Sequence, residues 1–152
     1  MSGDAVAMTV AGVRVELPSN TPIVLLREQD GPRYLPIWIG AAEATAIATA
    51  MENVEPPRPQ THDLMVMAIE ELGARMARVV VSEMRDSVFY ADLVLDTPNG
   101  EIHLSARPSD SIALAVRTGA PVYADPAVLA EAGIEIEDES EEQQIQRFRE
   151  VL

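Results

Sequence analysis

The residue types that could do chemistry in this chain gather in three short segments. One is L-S-A-R-P-S-D-S-I-A-L-A-V-R, residues 104–117, where Arg107, Ser109 and Asp110 meet at the mouth of an apolar helix. A guanidinium grips phosphate through parallel hydrogen bonds, and a carboxylate can hold a hard cation such as Mg2+. The second segment is Thr61-His62-Asp63, just after a proline-rich loop that should leave His62 partly exposed. A histidine that titrates near neutrality suits general-base work. The third is Glu43, three residues past Gly40, a lone acid at the start of an alanine-rich helix. Metal-assisted cleavage of a phosphodiester needs one or two carboxylates converging on a cation, and Glu43, Asp63 and Asp110 are the candidates. In that chemistry His62 transfers the proton, and Arg107 with Ser109 binds the phosphate.

Each segment also has a purely structural reading. Ser109 and Thr61 are natural N-caps, a cap being worth about 1 kcal/mol. Glu43, Asp63 and Asp110 fall in first helical turns, where an acid gains about 0.3–1 kcal/mol from the helix dipole. Arg107 would then pair with Asp110, although capping alone requires no arginine. A third reading makes the Arg107 turn a binding site for a small anion.

A mixture of strands and helices must position these residues. Ala5–Leu17 reads as a half-buried strand with a bulge at Gly12. Ile23–Arg27 and Tyr34–Ile39 complete an antiparallel meander, with Pro36 at an edge or bulge. Ala41–Asn53 is helical, with Ala44, Ile47, Ala48 and Met51 on one stripe. Pro56, Pro57 and Pro59 stiffen the connector. Thr61 caps a helix that runs to about Leu72, stops at Gly73 and buries Leu64, Met65, Ala68, Ile69 and Leu72. Ala74–Glu83 and Val88–Leu95 pair, the run 96–100 turns the chain, and Glu101–Ala106 leads into a helix over Ser109–Thr118. A short strand at Pro121–Tyr123 and a short helix from Asp125-Pro126 to Gly133 follow. The spacing predicts an acidic linker over 137–142 and a terminal helix over 143–152.

The fold class is therefore α+β, mainly antiparallel sheet with packed helices: one domain over residues 1–136, then the acidic tail 137–152. Shifted by 67 positions, Ile37, Ile39, Glu43, Ile47 and Met51 fall on Leu104, Ala106, Asp110, Leu114 and Thr118. Such an echo is expected of an internal strand–helix duplication.

Composition narrows the chemistry. The chain has 152 residues, no cysteine and no lysine, and all eleven cationic side chains are arginine. That removes thiolate zinc sites, cysteine nucleophiles, Schiff-base lysines and the P-loop. The net charge is -14, and residues 131–152 hold eight acids against two arginines. An acidic body repels polyanions, so tight passive nucleic-acid binding is not expected. With aromatics at 4%, no stacking platform with a basic stripe is visible. His103 reads as surface or interface, Trp38 as core or subunit interface, and the seven methionines as core fillers. No run is long enough for a membrane helix and no basic leader opens the chain, so a cytoplasmic protein is expected.

Three segments taken together resemble the bifunctional nuclease family. They are Tyr34-Leu35-Pro36-Ile37-Trp38-Ile39-Gly40 followed by Glu43-Ala44 and Ile47; Pro57-Arg58-Pro59 followed by Thr61-His62-Asp63-Leu64; and Phe89-Tyr90-Ala91 followed by Ala106-Arg107-Pro108-Ser109-Asp110-Ser111-Ile112-Ala113-Leu114-Ala115. The likeness covers residues 5–136. It implies a cytoplasmic α+β domain, usually a homo-oligomer (dimer or higher), with nuclease activity on DNA and RNA in some members and no agreed mechanism. The expectation is hydrolysis of phosphodiester bonds in weakly held DNA or RNA, assisted by a divalent metal such as Mg2+ or Mn2+. The competing expectation is a non-catalytic oligomeric module for regulation or protein interaction. Absent lysine, only two histidines and apolar helices able to pack between subunits favour it.

Overall fold

Turn chemistry and apolar alternation build most of the sheet from chain neighbours. The structure, a computed structural model, describes residues 4–16 and 18–135. Strands β1 (Val6–Glu16), β2 (Thr21–Glu28) and β3 (Arg33–Trp38) form the expected antiparallel meander. Gly12, at φ +143°, sits at the register break that follows Val10, so the predicted bulge falls on the residue that tolerates this backbone. Ile39 N–H donates to Pro22 O at 3.0 Å, so alternate residues of β3 bond to β2 and the nitrogen of Pro36 faces the other way. There the two-residue β8 (Ile134–Glu135) pairs with Arg33 and Tyr34, and among the described residues no strand pairs with Pro36 on that side.

A second meander repeats the plan: β4 (Arg75–Arg85), β5 (Val88–Thr97) and β6 (Gly100–Ala106). The joint is β7 (Val122–Ala124), antiparallel to β1 and parallel to β4. One eight-stranded sheet results, in the order β6-β5-β4-β7-β1-β2-β3-β8. The fold is α+β with mostly antiparallel pairing.

Among the described residues there are four helices: α1 (Ala41–Met51), α2 (Thr61–Glu71), α3 (Pro108–Thr118) and α4 (Pro126–Ala132). Helix α3 is central. Its Ile112, Ala113, Leu114 and Ala115 are fully or almost fully buried, and both α1 and α2 pack on it. Pro108 opens α3 at the first helical position, where its missing N–H costs nothing, and Gly119 closes it at φ +76°. Asp125 caps α4 by accepting from Ala127 N–H at 2.9 Å. Among the described residues, no helix is long and apolar enough to cross a membrane. The expected linker and terminal helix over 137–152 lie outside the described residues.

Several expectations are corrected. Ser109 does not cap α3: Arg107 is the N-cap, without a side-chain capping bond, and Ser109 is buried inside the first turn. Gln60, not Thr61, is the N-cap of α2. The stripe predicted to be buried on α2 faces outward in part, with Leu64 at 59% and Leu72 at 82% exposure and Met65 exposed too. The inward face is His62, Val66 and Ile69, spaced i, i+4, i+7. His62, expected to be partly exposed, is only 7% exposed. Trp38 belongs to no core and is 54% exposed. Met8 is the one methionine among the buried core residues, while Met51, Met65 and Met67 are exposed.

Candidate functional site

A buried helix with two polar openings sets up the site. In α3, Asp110 and Arg117 stand seven residues apart, two turns along the same face, in an otherwise largely apolar and enclosed helix. Opposite them, the first turn of α2 presents His62 and Asp63. The pairs interlock: His62 Nε2 lies 3.0 Å from Asp110 Oδ1, and Arg117 Nε donates to Asp63 Oδ1 at 2.7 Å. These links span 48 and 54 residues of chain. They fix how α2 is rotated, which is why its apolar stripe misses the core.

Each aspartate is held on both oxygens. Asp63 Oδ2 accepts from Gln60 N–H at 2.9 Å, and Asp110 Oδ2 accepts from Arg107 Nε at 2.8 Å. Arg107 also reaches Glu43 Oε2 at 3.5 Å across the gap to α1. The Arg117 hydrogen bond, helped by the Gln60 N–H, holds the Asp63 carboxyl below the usual range. Burial pushes the Asp110 carboxyl up, but hydrogen bonds from Arg107 and His62 outweigh it and hold the group low. The Asp110 contact raises Arg107 above the ordinary arginine value.

An ionised Asp110 can only accept, so His62 Nε2 carries the proton of that bond. Three carboxylates, Glu43, Asp63 and Asp110, face two guanidiniums, Arg107 and Arg117. Arg107 is the loosest member, with 64% of its side chain exposed, against 12% for Arg117.

Glu43, His62, Asp63, Arg107 and Asp110 all line one cleft of ≈ 870 Å³ between α1, α2 and α3. Five of the six candidates from the sequence therefore converge. Ser109 is the exception: it lines a second groove of ≈ 400 Å³ on the sheet side, which shares Arg107 with the first. Sequence reasoning missed Arg117 and Gln60. The seven-residue spacing from Asp110 was the available signal for Arg117; nothing local marked Gln60.

A resident divalent cation does not fit this arrangement. Both oxygens of Asp63 and of Asp110 are engaged by donors, and no three His, Asp or Glu side chains among the described residues group as a metal site. Glu43, touched by one arginine nitrogen at 3.5 Å, is the carboxylate held least tightly.

The family model for the bifunctional nuclease domain matches residues 24–137. An uncharacterized protein of Mycobacterium tuberculosis is 49% identical over 151 residues, covering 94% of this chain and 90% of that one. Bifunctional nuclease 1 of Oryza sativa subsp. indica is 26% identical over 117 residues, 75% of this chain and 35% of the rice protein. Bifunctional nuclease 2 of Arabidopsis thaliana is 25% identical over 128 residues, 80% of this chain and 39% of its own length. The chain thus spans well under half of the plant proteins it matches.

Proposed function

The chain belongs to the bifunctional nuclease domain family, and from this we propose that the cleft between α1, α2 and α3 hydrolyses phosphodiester bonds of DNA or RNA. The contact of His62 with Asp110, in the same cleft as an exposed Arg107, carries this reading. Asp110 orients the ring and stabilises the cation that forms when Nδ1 takes a proton from the attacking water. Arg107 offers its guanidinium to the phosphate oxygens as charge builds on them. Water oxygen bonds to phosphorus, the ester P–O bond breaks, and solvent protonates the leaving oxygen. Asp63 and Arg117 keep α2 in register, so that His62 stays in place. A divalent cation would first have to displace Arg107 from Asp110 and Glu43.

The test is cleavage of labelled single-stranded DNA and RNA, with Mg2+, with Mn2+ and with chelator. Activity should co-purify with the chain and be lost in His62→Ala and Arg107→Ala. Activity that survives both substitutions belongs to a contaminant. A second reading, a non-catalytic assembly module, is favoured by the outer face of α2, where Leu64, Met67 and Leu72 are exposed. A self-associating chain that Leu72→Asp turns into a monomer, without nuclease activity in either form, would establish it.

A further inference from the structure

The groove on the sheet side of Arg107 has no role in the chemistry above, and it holds the least explained side chain of the molecule. Trp38, the only tryptophan in the chain, ends β3 more than half exposed. It lines the groove together with Val88 and Phe89, which follow the tight hairpin at Asp86 and Ser87, both with positive φ. In a chain with 25 acids, no carboxylate among the described residues lines this groove, and the one charged residue among them that does is Arg107. That same guanidinium lines the cleft of His62 and Asp110.

We propose that this groove is a nucleobase subsite, in which the Trp38 ring stacks on an unpaired base whose phosphate is held by Arg107. The proposal rests on the phosphodiester reading and adds the form of the substrate. An acidic body gives a polyanion little long-range attraction, so affinity must come from a term that net charge does not weaken. Base–aromatic stacking is such a term, since every base offers an apolar face. A groove without carboxylates, contiguous with one arginine, admits a flat neutral ring next to a single phosphate. A paired base keeps its faces inside the duplex, so the subsite selects single strands.

Trp38 reports on its own occupancy. Adenosine monophosphate and a short oligothymidylate should quench the tryptophan fluorescence of the full chain, whereas ribose 5-phosphate and a DNA duplex should not. Anisotropy of a labelled oligothymidylate should show Trp38→Ala binding about 5- to 150-fold more weakly and Trp38→Phe keeping most of the affinity. The salt dependence should be shallow, as for roughly one or two phosphate contacts. Equal quenching by ribose 5-phosphate, or unchanged binding in Trp38→Ala, overturns the subsite. So does a tryptophan signal that follows protein concentration and ignores nucleotides, which makes the patch a contact between copies. Stacking without cleavage would remove the nuclease reading alone, and cleavage indifferent to Trp38 would remove the subsite alone.

Discussion

The two halves of the sheet are built alike and used differently. Three strands and a helix make each half, and a shift of 67 positions places Thr21 on Val88, Arg33 on Gly100, and both ends of α1 on those of α3. Both helices carry an acid at their third position, Glu43 in α1 and Asp110 in α3. What precedes the acid differs. Gly40 caps α1 with no side chain, and Glu43 folds back over it; Arg107 caps α3 and holds Asp110. Burial differs as well: α1 buries only Ala44 and Ile47, whereas α3 is enclosed by α1, α2 and the sheet. Only the C-terminal acid meets a histidine. A repeated local plan thus gives an enclosed wall on one side and a thinner, more exposed wall on the other. Helix α2, which lies between the two units and supplies His62, creates the difference.

Six substitutions probe this contrast. The largest effect is on activity: Asp110→Asn should lower cleavage by about 10²–10⁴-fold, the range of a positioned acid–base group, with the melting temperature nearly unchanged. Glu43→Gln, at the matching position, should cost less than about 10-fold. Equal losses would mean that both acids work as a pair, which is also what a cation bridging them would require.

Next comes stability. Leu114→Ala should destabilise by about 2–5 kcal/mol in denaturant unfolding, because its site is fully closed. Ala48→Gly, at a half-buried position of α1, should cost only about 1 kcal/mol. A similar cost at both would erase the difference in burial.

A pH effect follows from Asp63. The Arg117 hydrogen bond holds its carboxyl below the ordinary aspartate value, so folding favours the ionised form. The contribution is complete above about 3.8 and is lost as pH falls through the lowered folded value. Asp63→Asn should flatten stability against pH in that acid range; an unchanged slope would detach the Arg117 pair from the α2–α3 contact.

Gly40→Ala should have the smallest effect. The new methyl group meets only the far end of the Glu43 side chain, at an ordinary φ of -79°. Stability should move by about 0.5 kcal/mol or less, while Glu43 swings away from Arg107. A crystal structure of the variant, or a larger loss, would show whether Glu43 is anchored.

The strand pattern and the bulge at Gly12 were legible because short-range signals carry them; residue type and helix-start position marked Glu43, His62, Asp63, Arg107 and Asp110 as candidates, but not their convergence, because the contacts that join them across elements span 48 to 64 residues. The rotation of α2 was not legible either. Apolar residues occur around most of that helix, so periodicity left its buried face open, and the deciding contacts are polar and more than forty residues away in sequence. The caps misled for a related reason. A serine and a threonine looked like N-caps, but Pro108 moved the start of α3 back by one residue, and Gln60 used its backbone rather than a short side chain. Exposure of Trp38 had no local signal at all, since β3 is otherwise buried.

The seam at β7 has a consequence for synthesis. Both meanders pair strands close in sequence, so each can assemble soon after it is made. Their joint cannot. Three residues at 122–124 bridge β1, the earliest strand, and β4. Until they leave the ribosome, the growing chain carries two half-sheets, each with an unzipped inner edge. Those edges, Val6–Met8 and Val79–Val81, are where a protease or a chaperone should find the unfinished protein, and three late residues hide both at once.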